Sequence, residues 1–147
     1  MARDTVDLIE HTVNETNRWL HEIDVELGWG DRRAALHALR GVLHLIRDRA
    51  PLDESAQFSA QLPTLVRGLY WERWDPSRTL LKERDQSVLL SRIVEEFGDD
   101  ERALNPAEIA RAVFTVIHRH LSSGEVENVR HTFPRSLQEL WPTVWPT

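Results

Sequence analysis

Apolar residues in this 147-residue chain recur at spacings of three and four, which is the period of an α-helix rather than of a β-strand. The clearest run lies between Asp4 and Leu27, where seven positions follow this spacing: Val6, Ile9, Val13, Thr16, Leu20, Ile23 and Leu27. Such a run predicts an amphipathic helix whose apolar stripe faces a core. No hairpin turn is flanked by alternating polar and apolar residues, so the sequence predicts an all-α fold.

The breaks between helices in the first half are marked by residues that end or begin a helix. Gly28 is predicted to end the first helix, and Asp31 is placed to cap the second. Asp53 is expected to cap a short third helix, and Pro63 to lie in the first turn of a fourth. The residues of the fourth helix that we expect to face inward are Leu65, Val66 and Leu69.

The second half has the same organisation. A helix is predicted over residues 88–97, ended by Gly98, and the acidic segment 99–105 is expected to be a solvated linker. Asn105 is then expected to be the N-cap of the next helix, with Pro106 in its first turn. Leu104 and Ile109 are expected to form a hydrophobic staple. Further short helices are predicted around Val126 and after Pro134.

The two halves also resemble each other in sequence. WLHEIDVELG at 19–28 aligns with LLSRIVEEFG at 89–98, and QLPTLVRGLYWERWDP at 61–76 is echoed by TFPRSLQELWPTVWPT at 132–147. The echo pairs Tyr70 with Trp141 and Trp74 with Trp145. We therefore expect a tandem duplication of a four-helix unit, giving about eight helices in one domain with pseudo-twofold symmetry. Repeat one covers about 4–76 and repeat two about 85–147.

Several segments resemble the bacterial domain-of-unknown-function 2267 family. They are WLHEIDVELGWGDRRAALHALRGVLHLIRDRAPL, AQLPTLVRGLYWERWDP and ARAVFTVIHRHLSSGEVENVRHTFPRSLQELWP. The resemblance extends over roughly residues 15 to 145 and implies a small, helical, internally repeated bacterial protein. This chain departs from the family pattern at Phe133, where the family usually has leucine before the proline. The family brings no established reaction, so the resemblance implies no catalytic residues.

Composition excludes several classes of function. The net charge is −6, from 18 basic and 24 acidic residues, which argues against a nucleic-acid partner because phosphate binding needs a positive field. The chain has no cysteine, which excludes disulfides, zinc fingers and thiol catalysis. It has neither a long apolar run nor a signal-peptide pattern, so we expect a cytoplasmic protein without a membrane partner.

RGLYWERW contains the candidate interaction residues Arg67, Trp71 and Arg73. Tryptophan, tyrosine and arginine together are typical of the residues that dominate protein interfaces, and arginines also bind anionic ligands. Tyr70 and Trp74 recur in the second half, which favours a structural role for them. Arg67 and Trp71 have no equivalent there, so they are the better candidates for contact with a partner.

His37, His44 and Asp48 form a second candidate site. His37 and His44 are seven residues apart on one helix face, and Asp48 follows one turn later, which is suited to a proton-transfer pair or part of a metal site. Alternatively, His44 aligns with His118, as expected if both have a structural role.

Known catalytic and metal-binding motifs are missing. HEIDV at 21–25 has Val25 where a zinc protease has its second histidine, and no glutamate is followed by histidine at the third position. No P-loop or Gly-x-Ser-x-Gly motif occurs, and we expect neither a metal site nor a cofactor. The leading hypothesis is a non-enzymatic adaptor or homodimer acting through protein contact. The alternatives are a small-ligand sensor and a metal- or histidine-dependent enzyme, each with a pocket between the repeats.

Overall fold

The structure is a computed structural model that describes residues 6–142. In that range it contains eight α-helices and no β-strand, so the predicted all-α class is confirmed. The helices are α1 (Asp7–Leu27), α2 (Arg32–Arg49), α3 (Leu52–Ala60), α4 (Thr64–Trp71), α5 (Gln86–Phe97), α6 (Pro106–His120), α7 (Ser123–Arg130) and α8 (Arg135–Gln138). A 3₁₀ helix, Glu101–Leu104, precedes α6. None of the helices in this range is long and apolar enough to cross a membrane.

The four long helices form the centre of the fold. Helix α2 packs against α1, α5 and α6, and α6 also packs against α1 and α5. Their apolar stripes meet in one core, whose fully buried members include Ile23, Leu39, Leu43, Ile93, Val113 and Ile117. The shorter helices cover this core: α4 lies against α1 and α2, and α3 packs on α7.

Several predicted helix boundaries are confirmed. Gly28 ends α1 in the left-handed conformation (φ 71°), which glycine adopts without a Cβ clash. The Asp31 side chain accepts a hydrogen bond from the Ala34 N–H at 3.1 Å and so caps α2. Pro106 lies in the first turn of α6, where its missing N–H leaves no unpaired donor.

Other helix starts differ from the prediction. Helix α3 begins at Leu52 after Pro51, and Asp53 lies within its first turn rather than at the cap. Pro63 is the N-cap residue of α4, one position before the first turn. Helix α5 starts at Gln86, before the predicted range, because the Asp85 side chain accepts hydrogen bonds from the next turn. Each shift is of one or two residues, the usual uncertainty of a helix end.

The apolar stripe of α1 is buried only in part. Thr16, Leu20 and Ile23 are buried as expected, whereas the preceding positions Val6, Ile9 and Val13 are 64%, 55% and 41% exposed. His120 at the end of α6 stacks on Trp19 with ring centroids 4.9 Å apart. The turns of α1 that precede Thr16 therefore extend past the end of α6 and leave the core.

Two further burial predictions are wrong. Leu65 is 45% exposed, because the first turn of α4 faces the outer part of α1, where the Leu65 N–H donates to Thr12 Oγ1. Leu104 is 84% exposed, so it forms no hydrophobic staple with Ile109, and Asn105 caps α6 without a side-chain hydrogen bond. The tight 3₁₀ turn before α6 buries Ala103 instead.

The acidic segment before α6 is structured rather than a simple linker. Asp100 caps the 3₁₀ helix. Arg102 Nη2 lies 2.7 Å from Asp100 Oδ2 and 3.0 Å from Asp31 Oδ2, so it bridges the two carboxylates. The Arg102 guanidinium also lies 4.6 Å from the centre of the Trp29 ring. This segment therefore fastens the start of α6 to the start of α2. Trp145, which the predicted echo pairs with Trp74, lies outside the described residues.

Candidate functional site

A polar cleft of about 550 Å³ lies where α2 and α5 pack together, beside the chain that follows α4. Gly41 forms part of its wall, and a Cβ at this position would lie 3.4 Å from the Ile93 Cα, so the two helices cross closely. The charged side chains lining the cleft are Arg40, Arg47, Arg73, Arg78, Arg92, Asp48, Glu72, Glu95 and Glu96. Five guanidiniums and four carboxylates thus share one depression in a protein whose net charge is −6.

Three guanidiniums converge on one buried carboxylate at one end of the cleft. Asp48 is 5% exposed, and its Oδ1 accepts from Arg47 Nε at 3.1 Å. Its Oδ2 lies 3.0 Å from Arg78 Nη1 and 2.5 Å from Arg92 Nη2. A buried carboxylate needs partners of opposite charge, and here one negative charge faces three positive ones.

Backbone hydrogen bonds fix the position of this cluster. Arg47 Nη1 donates to the carbonyls of Tyr70 and Glu72 at 3.2 and 2.6 Å, which ties the end of α4 to α2. The Leu81 N–H donates to the Asp48 carbonyl at 2.8 Å. The long connection between α4 and α5, which carries Arg78, is therefore held against α2 on both sides of that arginine.

The other end of the cleft has the opposite balance of charge. Arg40 donates from Nε to Glu72 Oε1 at 2.9 Å and from Nη1 to Glu96 Oε1 at 3.3 Å. The guanidinium of Arg40 thus donates hydrogen bonds to two carboxylates. These contacts join α2 both to α5 and to the residue that follows α4.

His44 lies in the cleft in a neutral form. Its Nε2 is 2.8 Å from the Leu69 carbonyl, which can only accept, so Nε2 carries the proton. Burial lowers the pKa of His44 below the ordinary histidine value, and the charge of Arg47 acts in the same direction; together they outweigh the Leu69 hydrogen bond. His44 therefore fastens the end of α4 to α2 as an uncharged donor near neutral pH.

The structure brings only part of the predicted histidine site together. His44 and Asp48 line the same cleft, but His44 bonds to a carbonyl and Asp48 to guanidiniums, so they do not form a proton-transfer pair. His37 lies apart, with Nδ1 3.9 Å from Glu96 Oε1 and its ring packed near Phe97. Within residues 6–142, no three histidine or acidic side chains are arranged to hold a metal ion.

Two of the three predicted interaction residues have contacts within the chain. Arg67 donates to the carbonyls of Ser59 and Leu62 at 3.2 and 3.3 Å, and the Trp71 indole N–H donates to Ser59 Oγ at 3.0 Å. These bonds hold the turn between α3 and α4. Arg73 instead lines the cleft, with a left-handed backbone (φ 57°) that no other non-glycine residue in the described range adopts.

Sequence reasoning missed the partners that define the cleft. Arg78 and Arg92 reach Asp48 from 30 and 44 residues along the chain, and no local pattern marks that contact. One signal was present: Arg40, His44 and Asp48 form a polar line at four-residue spacing along α2. Such a line on a helix with apolar faces indicates a buried polar contact.

Comparison with known proteins places the chain in a family. No curated protein matches the chain significantly. Residues 16–140, which include every residue that lines the cleft, match the family described as "Uncharacterized conserved protein (DUF2267)". Because this match covers most of the chain, the protein belongs to the DUF2267 family.

Proposed function

We propose that this protein binds a small anionic ligand, bearing a phosphate or carboxylate group, in the cleft between α2 and α5. The observation that carries the proposal is the convergence of three guanidiniums on the single carboxylate of Asp48. One negative charge does not balance three positive ones. An anion in the cleft would supply the missing charge next to groups that are already fixed in place.

Arg78 and Arg92 are the arginines best placed to contact this ligand. A guanidinium has five N–H donors, and each of these two contacts Asp48 through one nitrogen. Their side chains are 45% and 36% exposed, whereas that of Arg47 is 5% exposed and is occupied by backbone carbonyls. Arg78 and Arg92 therefore present donors to the cleft, while Arg47 holds the site together.

Arg73 supports the same proposal through its backbone. A left-handed conformation costs a non-glycine residue about 1 kcal/mol or more, and such residues cluster at functional sites. The carbonyl of the preceding residue, Glu72, is held by Arg47, so the strained turn is fixed from within the fold. It places a third arginine at the mouth of the cleft.

Thermal-shift measurements with phosphate, pyrophosphate and citrate at low salt test the proposal. We expect at least one of these anions to raise the Tm of the wild type, since a ligand at 100 times its Kd adds about 2.7 kcal/mol. The shift should be lost in Arg92→Gln and kept in Arg111→Gln, which removes the same charge from an exposed position of α6. Equal shifts in the two variants, or none in the wild type, would refute the proposal.

A second candidate function is self-association through the outer half of α1. The supporting observation is that Ile9 and Val13 continue an apolar stripe beyond the core and are 55% and 41% exposed. A second copy that packed on this stripe would bury it. Light scattering after size-exclusion chromatography should then give twice the 17.1 kDa chain mass.

A matched pair of variants locates the contact. Ile9→Glu should give the monomer mass, and Val25→Glu should not, because Val25 is equally exposed but lies in the other half of α1. A wild type that remains monomeric at high concentration argues against self-association. Contact with a different protein through Arg67, Trp71 and Arg73 stays a prediction, which a pull-down with Trp71→Ala tests.

We also propose that the chain is one domain that arose by tandem duplication. The proposal is supported by packing that follows the predicted alignment: α1 packs on α6 as α5 packs on α2, and α3 packs on its counterpart α7. A pseudo-twofold axis through the core would relate these pairs. Superposition of the two halves in an experimental structure tests the proposal.

A further inference from the structure

Helices α3 and α7 meet at their first turns, and each brings a glutamate to the contact. Glu54 lies in the first turn of α3 and Glu125 in the first turn of α7. The Glu125 side chain is within hydrogen-bond reach of Glu54. Glu125 is 6% exposed and Glu54 is partly buried, so the contact is largely shielded from solvent.

One oxygen of each carboxyl group lacks the donor that a buried oxygen needs. Glu54 Oε2 and Glu125 Oε1 are closed off from solvent, and neither accepts a hydrogen bond from a donor group. Ionised carboxylates only accept hydrogen bonds, and two of them in one buried site repel each other. A single proton between them removes one charge and supplies the missing donor.

Groups around the pair do not replace this proton. On α7, Asn128 bonds to Glu125, and Glu127 is held by Arg130 at 2.8 Å and His131 at 3.4 Å. Asp53 on α3 is exposed, Tyr70 on α4 bonds to Ser55, and His118 on α6 interacts with Glu127. Within the described residues, no basic group forms an ion pair with Glu54 or Glu125.

Electrostatics agrees with this geometry. Burial, the hydrogen bond with Glu54 and the charge of Glu54 raise the pKa of Glu125 to about 7. The helix N-termini act in the opposite direction, because they favour charged carboxylates, but burial and repulsion outweigh them. The proton on Glu125 is therefore exchanged near neutral pH.

We propose that Glu54 and Glu125 form a proton-binding site that controls the contact between α3 and α7. With one proton bound, the shared hydrogen bond holds the two helices together. When that proton dissociates, two buried negative charges face each other and the contact loosens. The site thus makes this part of the fold pH-sensitive, independently of any ligand in the cleft.

Hydrogen exchange measured by mass spectrometry between pH 6 and 8.5 tests the proposal. After correction for intrinsic exchange rates, we expect protection of the α3 and α7 amides to fall at least tenfold as the pH rises. Protection of α5, which packs on α2 and α6, should change less. Equal changes in all helices, or none in α3 and α7, would overturn the proposal.

Two variants and one direct measurement complete the test. Glu125→Gln keeps a donor at the contact without a charge and should make α3 and α7 protection independent of pH, whereas Glu127→Gln on the same helix should behave like the wild type. Carboxyl ¹³C NMR of the wild type does not depend on how the variants fold. It should show one glutamate that titrates at least one pH unit above the ordinary value. Titration of every glutamate in the ordinary range would contradict the proposal.

Discussion

Arg92 Nη2 lies 2.5 Å from Asp48 Oδ2 and joins helix α5 to a carboxylate that is almost completely buried in α2. The two residues are 44 positions apart, and with Arg78 they bring three segments of the chain to one point. Both residues line the cleft, and their contact also connects the two halves of the protein. Stability and ligand binding are therefore both expected to depend on it.

Asp48→Asn should be strongly destabilising. Removing one partner of a buried ion pair leaves unpaired charge inside the protein and costs about 3–5 kcal/mol. Here three guanidiniums lose their common carboxylate. Urea unfolding measures the effect, with Asp99→Asn as the control because Asp99 is exposed. Similar free energies of unfolding for the two variants would show that the cluster contributes little.

Two helix glycines should respond differently to leucine. A Cβ at Gly41 would already lie 3.4 Å from the Ile93 Cα on α5, so the longer side chain of Gly41→Leu should crowd this crossing and destabilise the protein by about 1–3 kcal/mol. A Cβ at Gly68 in α4 meets nothing within 4 Å, so Gly68→Leu should be neutral or stabilising by up to about 1 kcal/mol. The difference in Tm between the Gly41→Leu and Gly68→Leu variants reports how closely α2 and α5 cross. Equal tolerance of leucine at both sites would mean that the helices do not cross as described.

Tyr70 should resist ionisation until the protein unfolds. Burial raises its pKa well above the usual tyrosine value, although its hydrogen bond to Ser55 Oγ at 2.7 Å acts against this shift. It is the single tyrosine of the chain, so phenolate absorbance at 295 nm reports on it alone. The absorbance should rise together with the loss of helical circular dichroism. Titration near pH 10 in the folded protein would mean that the hydroxyl is accessible to water.

Glu125 should make stability decrease as the pH rises. Its pKa is about 7 in the folded protein and near 4.5 when unfolded, so between these values the folded state binds more protons. The contribution of Glu125 to the free energy of unfolding is fully present below pH 4.5 and is lost as the pH rises through 7. The total loss is up to about 3 kcal/mol.

Comparing the wild type with Glu125→Gln by urea unfolding isolates this effect. His44 and His118, whose pKa values burial lowers, act in the opposite direction but contribute equally to both proteins. The free-energy difference between wild type and variant should therefore change steadily from pH 5 to 8. A constant difference would mean that Glu125 titrates normally.

Local patterns predicted the helices because the causes of helix ends are local. Gly28 and Asp31 act through their own backbone and the adjacent turn, and both predictions are confirmed. Burial was predicted less well, since it depends on where neighbouring helices end. Leu65 and Ile9 have core-like spacing, yet both lie in the first turns of their helices, outside the core.

The residues of the cleft could also be predicted only in part, because their partners are distant in sequence. His44 and Asp48 were recognised because they share one helix face, but their partners were not. Their roles come from the Leu69 carbonyl and from Arg92, which are distant in sequence. Those contacts argue against a proton-transfer pair and support the proposed anion site.

Isothermal titration calorimetry at pH 7 and low salt, with whichever of phosphate, pyrophosphate and citrate raises the Tm most, tests the central claim most directly. The wild type and Arg111→Gln should bind one equivalent with similar Kd. Arg78→Gln and Arg92→Gln should each bind at least tenfold more weakly, because a charge-assisted hydrogen bond contributes about 1.5–3 kcal/mol. Failure of the wild type to bind, or equal binding by all four proteins, would contradict an anion site at Asp48.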